Sequence, residues 1–115
     1  MYKIVDNTTI YLTRGDSFET AVQIKNGNST YQPQQGDKVR FALKRNIILA
    51  NGYADEEPLI EKNIPIATMI LSIAPADTKG FAFGEYAYDI ELTYSNGEVD
   101  TFINNAKFFI VPEVD

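Results

Sequence analysis

The sequence predicts an all-β protein, built as an antiparallel sandwich of seven to eight short strands. Apolar and polar residues alternate with period two along most of the chain, which is typical of strands with one buried face. Turn residues interrupt this alternation at short intervals, and no helical pattern extends over ten residues. The length of 115 residues fits one domain with one core, so residues 1–115 are predicted to fold as a unit.

The clearest strand is the run GEYAYDIELTY at residues 84–94, where Tyr, Ile and Leu occupy every second position. Asn96-Gly97 follows it and predicts a two-residue hairpin turn, because both residue types accept positive φ. A second strand then runs over residues 99–103. The register predicted by this turn pairs Tyr94 with Val99, Leu92 with Thr101, and Ile90 with Ile103.

Two Gly-Asp pairs predict turns that lead into strands, since Gly supplies unusual φ and Asp can bond the backbone amides beyond it. These turn residues are Gly15 with Asp16 and Gly36 with Asp37. The strands after them cover residues 18–24 and 38–44. Further strands are predicted at 11–13, 59–64, 69–73 and 107–111, with one helical turn after Pro75 and a flexible loop over 46–58.

The segment from Pro75 to Tyr88 favours one type of sandwich. A short turn leads there into a Tyr-rich strand, as at the corner before the sixth strand of immunoglobulin-like sandwiches, although the chain has no Cys pair. The predicted fold is therefore an immunoglobulin-like β-sandwich.

Composition excludes several function classes. Cys, His and Trp are absent, which removes disulfides, thiolate and imidazole nucleophiles and the usual zinc sites, so we expect no catalytic residues, no metal and no cofactor. A net charge of −6 and scattered Lys and Arg residues argue against a nucleic-acid partner. The N-terminus does not resemble a signal peptide, and no apolar run is long enough to span a membrane. We therefore expect synthesis in the cytoplasm and no membrane partner.

The tripeptide Arg14-Gly15-Asp16 has two interpretations, an integrin-binding motif or a turn. A three-residue hairpin loop places Leu12 opposite Phe18, so that apolar residues face each other. The absence of a signal peptide also favours the turn.

Three other groups of residues were weighed against structural roles. The run Asp55-Glu56-Glu57 could help to ligate calcium but lacks EF-hand spacing, which favours a solvated loop. Asp89 and Glu91 share a strand face and could act as a glycosidase pair, yet any acidic strand meets that spacing. Tyrosines 86, 88 and 94 could stack on carbohydrate, but their alternation with polar residues predicts core positions.

An outward apolar stripe is the predicted interface. If Ile103, Phe108 and Ile110 point inward, Phe102, Phe109 and Val111 point outward and present apolar surface to a partner or a second copy. A bulge at residues 104–106 would change this parity.

Four runs carry a resemblance to a known family: TIYLTRGDSFETAVQIKNG, GDKVRFALKR, LIEKNI and LSIAPADTKGFAFGEYAYDIELTYSNGEVDTFINNAKFFIVPEV. Together they resemble the N-terminal domain of baseplate upper proteins from phages of Gram-positive bacteria, and small stand-alone proteins of related prophages. The most specific part is the early Thr-Arg-Gly-Asp combined with the late Tyr-Asp-Ile-Glu-Leu-Thr-Tyr, Asn-Gly and Val-Asp-Thr.

This resemblance implies an immunoglobulin-like virion part that assembles with other phage structural proteins and has no catalytic residues. The sequence ends at Asp115, before the linker and receptor-binding scaffold of the long members, which favours a small tail, neck or fibre-attachment component. Such a protein would reach the virion on assembly. The alternative is a carbohydrate- or cell-surface-binding sandwich, since loops of small β-sandwiches often serve recognition.

Overall fold

The structure is a computed structural model that describes residues 2–5, 8–26 and 29–112. Of the predicted unit 1–115, residues 1, 6–7, 27–28 and 113–115 lie outside the described residues. The described elements are β1 (Tyr2–Val5), β2 (Thr9–Thr13), β3 (Phe18–Ala21), β4 (Ile24–Asn26), β5 (Ser29–Tyr31), β6 (Lys38–Arg45), β7 (Pro58–Ile64), β8 (Ile70–Ile73), α1 (Pro75–Thr78), β9 (Gly84–Thr93) and β10 (Val99–Val111).

Six strands form one large sheet in the order β1-β2-β10-β9-β6-β7, and two further pairs are β3-β8 and β4-β5. The all-β class is confirmed. The pairing is antiparallel except between β2 and β10, which run parallel and thus depart from the predicted antiparallel pattern. The described strands also outnumber the prediction, because residues 18–24 divide into β3 and β4 while β1 and β5 were not anticipated.

The core lies against one face of the large sheet, which we call the inner face. Its alternating residues are buried in β9 at Tyr88, Ile90 and Leu92, as the period-two pattern predicted. The β3-β8 pair adds to the same apolar cluster through Phe18 and Leu71. The β4-β5 pair contributes Ile24, so three separate sets of strands share one core.

The predicted hairpin around Arg14-Gly15-Asp16 is wrong, because β2 and β3 do not pair. β2 lies between β1 and β10, whereas Phe18 of β3 is opposite Ile73 of β8. A turn is nevertheless present, with Gly15 at φ 85° and the Asp16 N–H donating to the Thr13 carbonyl over 3.1 Å. The turn carries the chain from the large sheet to the small pair. Leu12 and Phe18 are both buried, as a hairpin would require, although they belong to different sheets.

The register predicted for the β9-β10 hairpin is wrong at its turn and correct further along. The loop has three residues, 95–97, since the Tyr94 N–H donates to the Glu98 carbonyl over 2.8 Å. Within Asn96-Gly97 only Gly97 has positive φ, whereas a two-residue type I′ turn needs it at both positions. Val99 therefore pairs with Thr93.

Two irregularities in β10 then shift the register. The first, between Thr101 and Ile103, restores the predicted pair of Ile103 with Ile90. The second lies between Ile103 and Ala106, where Asn105 has φ 53°. A bulge at residues 104–106 was the alternative considered from sequence, and the structure confirms it. Residues 99–103 and 107–111, predicted as two strands, are consequently one bent strand.

The Gly36-Asp37 turn is fixed to the β9-β10 loop by one buried carboxylate. Asp37 Oδ2 accepts hydrogen bonds from the Tyr31 hydroxyl at 2.6 Å and the Gln34 N–H at 2.8 Å, while Oδ1 accepts from the Ser95 N–H at 3.1 Å. The Tyr31 bond, then the Gln34 bond, lowers the pKa of Asp37, although desolvation opposes this. The same contact raises the pKa of Tyr31 to about 12.

Substitution of Gly36 by Ala should destabilise the fold more than the same change at Gly97. Both glycines have φ near +95°, at 95° and 94°, so Ala costs about 1 kcal/mol at either site. A Cβ at Gly36 would also lie 2.9 Å from Ser95 Cβ, while one at Gly97 meets nothing within 4 Å. Urea unfolding should show at least about 1 kcal/mol of additional loss for Gly36→Ala. Equal losses would contradict the close approach.

Replacement of Asp37 by Asn should lower stability at neutral pH and reduce the acid sensitivity of the fold. Because the folded pKa of Asp37 is depressed, its stabilising effect is present above the unfolded value of about 3.9 and is lost as pH falls through the folded value. Urea midpoints of the two proteins measured from pH 7 to pH 2 should therefore converge at the acid end. A constant gap would show that charge is not involved.

Candidate interaction surfaces

Residues 47–53 form a protruding turn with unusual apolar exposure, and we call it the apolar hairpin. Ile48 is 70% exposed and Tyr53 is 74% exposed, with Ile47 and Leu49 also at the surface. Backbone contacts close the turn, since the Leu49 N–H donates to the Tyr53 carbonyl over 2.8 Å and Ile48 bridges to Ala54. The loop predicted over 46–58 therefore contains a hydrogen-bonded turn, and its flexibility stays a prediction.

An ion network fixes the base of the apolar hairpin to the outer face of the large sheet, opposite the core. The Lys44 side chain is only 3% exposed, and its Nζ lies 2.8 Å from Glu56 Oε2 and 2.9 Å from Asp89 Oδ2. Desolvation by itself would lower the pKa of Lys44, but the contacts with Glu56 and Asp89 outweigh it and raise the pKa. The lysine is thus held in its charged form.

A second ion pair sits beside the first. Arg45 Nε donates to Asp55 Oδ2 over 2.7 Å, and Asp55 Oδ1 accepts the Glu57 N–H at 3.0 Å. The Glu57 bond lowers the pKa of Asp55, desolvation opposes it, and Arg45 lowers it further. The acidic run predicted as a solvated loop is consequently buried at Asp55 and serves as an anchor.

The three residues of the predicted apolar stripe do not lie in one environment. Phe109 is half-buried on the outer face, where its ring stacks on Tyr11 with centroids 4.6 Å apart and planes 7° from parallel. Val111 is also half-buried. Phe102 instead packs against the core cluster, because the irregularity between Thr101 and Ile103 changes the parity. An interface at Phe109 and Val111 stays a prediction.

The Arg14-Gly15-Asp16 turn makes specific contacts within the protein. The Arg14 guanidinium lies 4.1 Å from the ring centroid of Phe83, and its Nη1 donates to the Phe81 carbonyl at 3.3 Å. The Gly15 N–H donates to the buried Thr78 hydroxyl over 2.9 Å. These contacts link the turn to the segment after α1 and agree with a structural turn.

The carboxylates considered for glycosidase chemistry take part in ion pairs and backbone contacts. Asp89 accepts from Lys44 and from the Asn105 N–H at 2.7 Å, and Glu91 lies 3.2 Å from Arg40 Nε. The tyrosines lie at or against the core as predicted, with Tyr88 buried and positions 86 and 94 packed on the cluster. Burial raises the pKa of Tyr88 to about 12.

Residues 2–5, 8–26 and 29–112 contain neither a metal-binding cluster nor a helix that could cross a membrane. No group of three acidic, Cys or His side chains there is arranged to hold a metal ion. No helix in the same ranges combines the length and apolar character that crossing a membrane requires.

The sequence contained one overlooked signal for the apolar hairpin. Asn51-Gly52 lies between Ile48 and Ala54, and Gly52 has φ 87°. This is the same Asn-Gly signature that identified the β9-β10 turn. The flanking apolar run was too short to reveal a strand by its period.

Removal of the Asp89 carboxylate should destabilise the protein much more than removal of Glu56. Asp89→Ala leaves a buried lysine with half of its ion network, for a loss of about 2 kcal/mol or more. Glu56 has a side chain that is 65% exposed, so Glu56→Ala should cost less than about 1 kcal/mol. Chemical denaturation of both variants at pH 7 provides the measurement, and equal losses would contradict this assignment.

Comparison with known proteins adds no relative to this picture. No protein-family model, no curated protein and no solved structure matches the chain. The residues and surfaces of the chain itself are therefore the basis for the function proposed below.

Proposed function

We propose that this protein is a noncatalytic structural or adaptor component of a phage or prophage virion. It would act in the tail, baseplate, neck or fibre attachment through assembly with other phage structural proteins. Its fold would be an immunoglobulin-like β-sandwich, in which the β3-β8 pair forms the second layer over the inner face of the large sheet. The protein would be made in the bacterial cytoplasm and enter the virion on assembly.

The apolar hairpin is the observation that carries this proposal. Exposure of Ile48 and Tyr53 is unfavourable for an isolated protein in water, and each would gain about 25 cal/mol per Å² on being covered. The ion pairs of Lys44 and Arg45 hold the hairpin in place before any partner arrives. An apolar hairpin held in place by these ion pairs loses less conformational entropy on binding than an open loop would, which suits assembly.

The resemblance to baseplate upper proteins selects the kind of assembly. It rests on the early Thr-Arg-Gly-Asp and the late Tyr-Asp-Ile-Glu-Leu-Thr-Tyr with Asn-Gly. In this chain those segments form the turn after β2, strand β9 and the loop that Asp37 fixes. The runs that carry the resemblance therefore include residues that form a turn, a strand and a fixed loop. Their structural roles are in keeping with the fold that the resemblance implies.

One observation favours a second candidate, a carbohydrate- or cell-surface-binding module. The side chain of Tyr53 is largely exposed on the apolar hairpin, and its backbone N–H donates to the side-chain oxygen of the exposed Asn51. Aromatic faces with adjacent polar groups can stack on sugar rings. A glycan array and a cell-wall pull-down with the purified protein, compared with Tyr53→Ser, separate this candidate from the first, since only sugar binding predicts a Tyr53-dependent signal.

After prophage induction in the strain that encodes this chain, the protein should sediment with phage particles in a density gradient. The double change Ile48→Ser with Tyr53→Ser should reduce the particle-bound fraction at least several-fold, because it removes apolar contact area from the hairpin tip. Ile70→Ser is the matched control, since Ile70 is also an exposed aliphatic residue but lies on β8. Immunodetection across the gradient gives the readout. Wild-type protein found free of particles would exclude a virion role.

A further inference from the structure

A groove of about 720 Å³ opens on the inner-face side of the large sheet. Ile10, Tyr88 and Ile90 of the large sheet line its deep part, and Gln23 and Lys25 lie at its mouth. The deep residues belong to the apolar core, while the mouth residues are exposed. The groove is therefore an extension of the core toward solvent.

The strand arrangement explains why this groove exists. Among the described strands β3 pairs with β8 alone, so no described strand continues the sheet beyond its other edge. β2 reaches β10 only at residues 108–111, which leaves residues 99–106 of β10 with one partner, β9. The groove lies between these two incomplete edges and includes Ile103 of β10.

The same chain carries an exposed apolar turn, the apolar hairpin. The base of this hairpin packs on the outer face of the large sheet through Lys44 and Asp89, whereas the groove opens on the inner-face side. One molecule therefore presents, on opposite sides of one sheet, an exposed apolar turn and a groove that has an apolar floor and a polar mouth. A contact between them joins two molecules head to tail.

Charge fits the same pairing. The apolar hairpin is followed by Glu57, whose side chain is exposed, whereas the neighbouring Glu56 is already paired with Lys44. Among the described residues that line the groove, Lys25 carries the only charge. Docking would bring the Glu57 carboxylate toward an exposed ammonium group, whereas an isologous contact between two hairpins would bring two Glu57 carboxylates together.

We propose that the apolar hairpin of one copy docks into the Lys25 groove of a second copy of this chain. The contact is heterologous, so it generates a ring if the rotation closes and an open chain if it does not. Its biological purpose rests on the proposed assembly function, which it deepens by naming a partner. The four exposed side chains of the hairpin offer on the order of 500 Å², less than the roughly 800 Å² per partner of a standard interface, so the contact is weak.

Sedimentation velocity of the purified chain tests the proposal with the chain itself as probe. The wild-type sedimentation coefficient should rise with concentration between about 10 and 500 µM, as expected for a weak contact. Two variants each disable one side: Ile48→Ser with Tyr53→Ser at the hairpin, and Lys25→Glu at the groove. Each alone should remain monomeric over this range. All altered residues are exposed, and thermal unfolding of each variant verifies that it folds.

An equimolar mixture of the two variants is the decisive sample. The hairpin variant keeps an intact groove and the groove variant keeps an intact hairpin, so the mixture should form a dimer that grows no further. Lys25→Glu combined with Glu57→Lys should recover at least part of the self-association. Monomeric wild-type protein at every concentration, or self-association unchanged in both variants, would overturn the proposal.

The two proposals fail in distinguishable ways. Protein that is monomeric when purified but bound to particles contradicts the self-assembly and leaves the virion role intact. Protein that self-associates through hairpin and groove but is absent from particles contradicts the virion role alone.

Discussion

The inner face of the six-stranded sheet has to be kept from water, and most of the architecture follows from this requirement. Phe41, Leu92 and Phe108 on three neighbouring strands are wholly buried. Their burial depends on Phe18 and Leu71 from the β3-β8 pair, which lies outside the large sheet. The short strands β3 and β8 cover less surface than the six-stranded sheet presents on its inner face. The part of the inner face that they leave uncovered is the groove that Lys25 borders.

The outer face meets a different constraint, because it buries a charge. Taking the Lys44 ammonium group out of water costs several kcal/mol before its contacts with Glu56 and Asp89 offset that loss. A pair of this kind adds little net stability compared with an apolar replacement. It does restrict geometry, since the contacts of Lys44 with Glu56 and of Arg45 with Asp55 form only when the residue 46–57 segment lies on the sheet. The network thus determines where the apolar hairpin points.

Sequence reasoning succeeded where one face of a strand is buried and the other is wet. Period two then identifies a strand and its inner residues, as it did for β9. The period-two pattern could not distinguish a hairpin from a connection between two sheets, because Leu12 and Phe18 reach the same core from different sets of strands. It also missed the anchoring role of Asp55, whose partner Arg45 lies ten positions away across a turn. Ion pairs across a folded turn leave no periodic signal.

The same limit applied to the candidate surfaces. The predicted stripe of Phe102, Phe109 and Val111 assumed regular alternation through β10, and the irregularities of that strand moved Phe102 toward the core. Local strand irregularity depends on backbone geometry at a few residues, such as positive φ at Asn105, which composition does not specify.

Net charge opposes the association of this protein with further copies, whereas apolar exposure favours association. The balance between the two favours selective association. A charge of −6 repels further copies at long range, whereas the apolar hairpin is favourable only in close contact. The partner surface proposed above, the Lys25 groove, combines an apolar floor with a basic group that would offset the carboxylate of Glu57. A contact without a basic group is weakened by the repulsion between acidic chains. A contact without apolar area is weakened because salt screens charge attraction beyond about 8 Å at physiological ionic strength. Selectivity for such a partner then arises because charge acts at longer range than apolar contact.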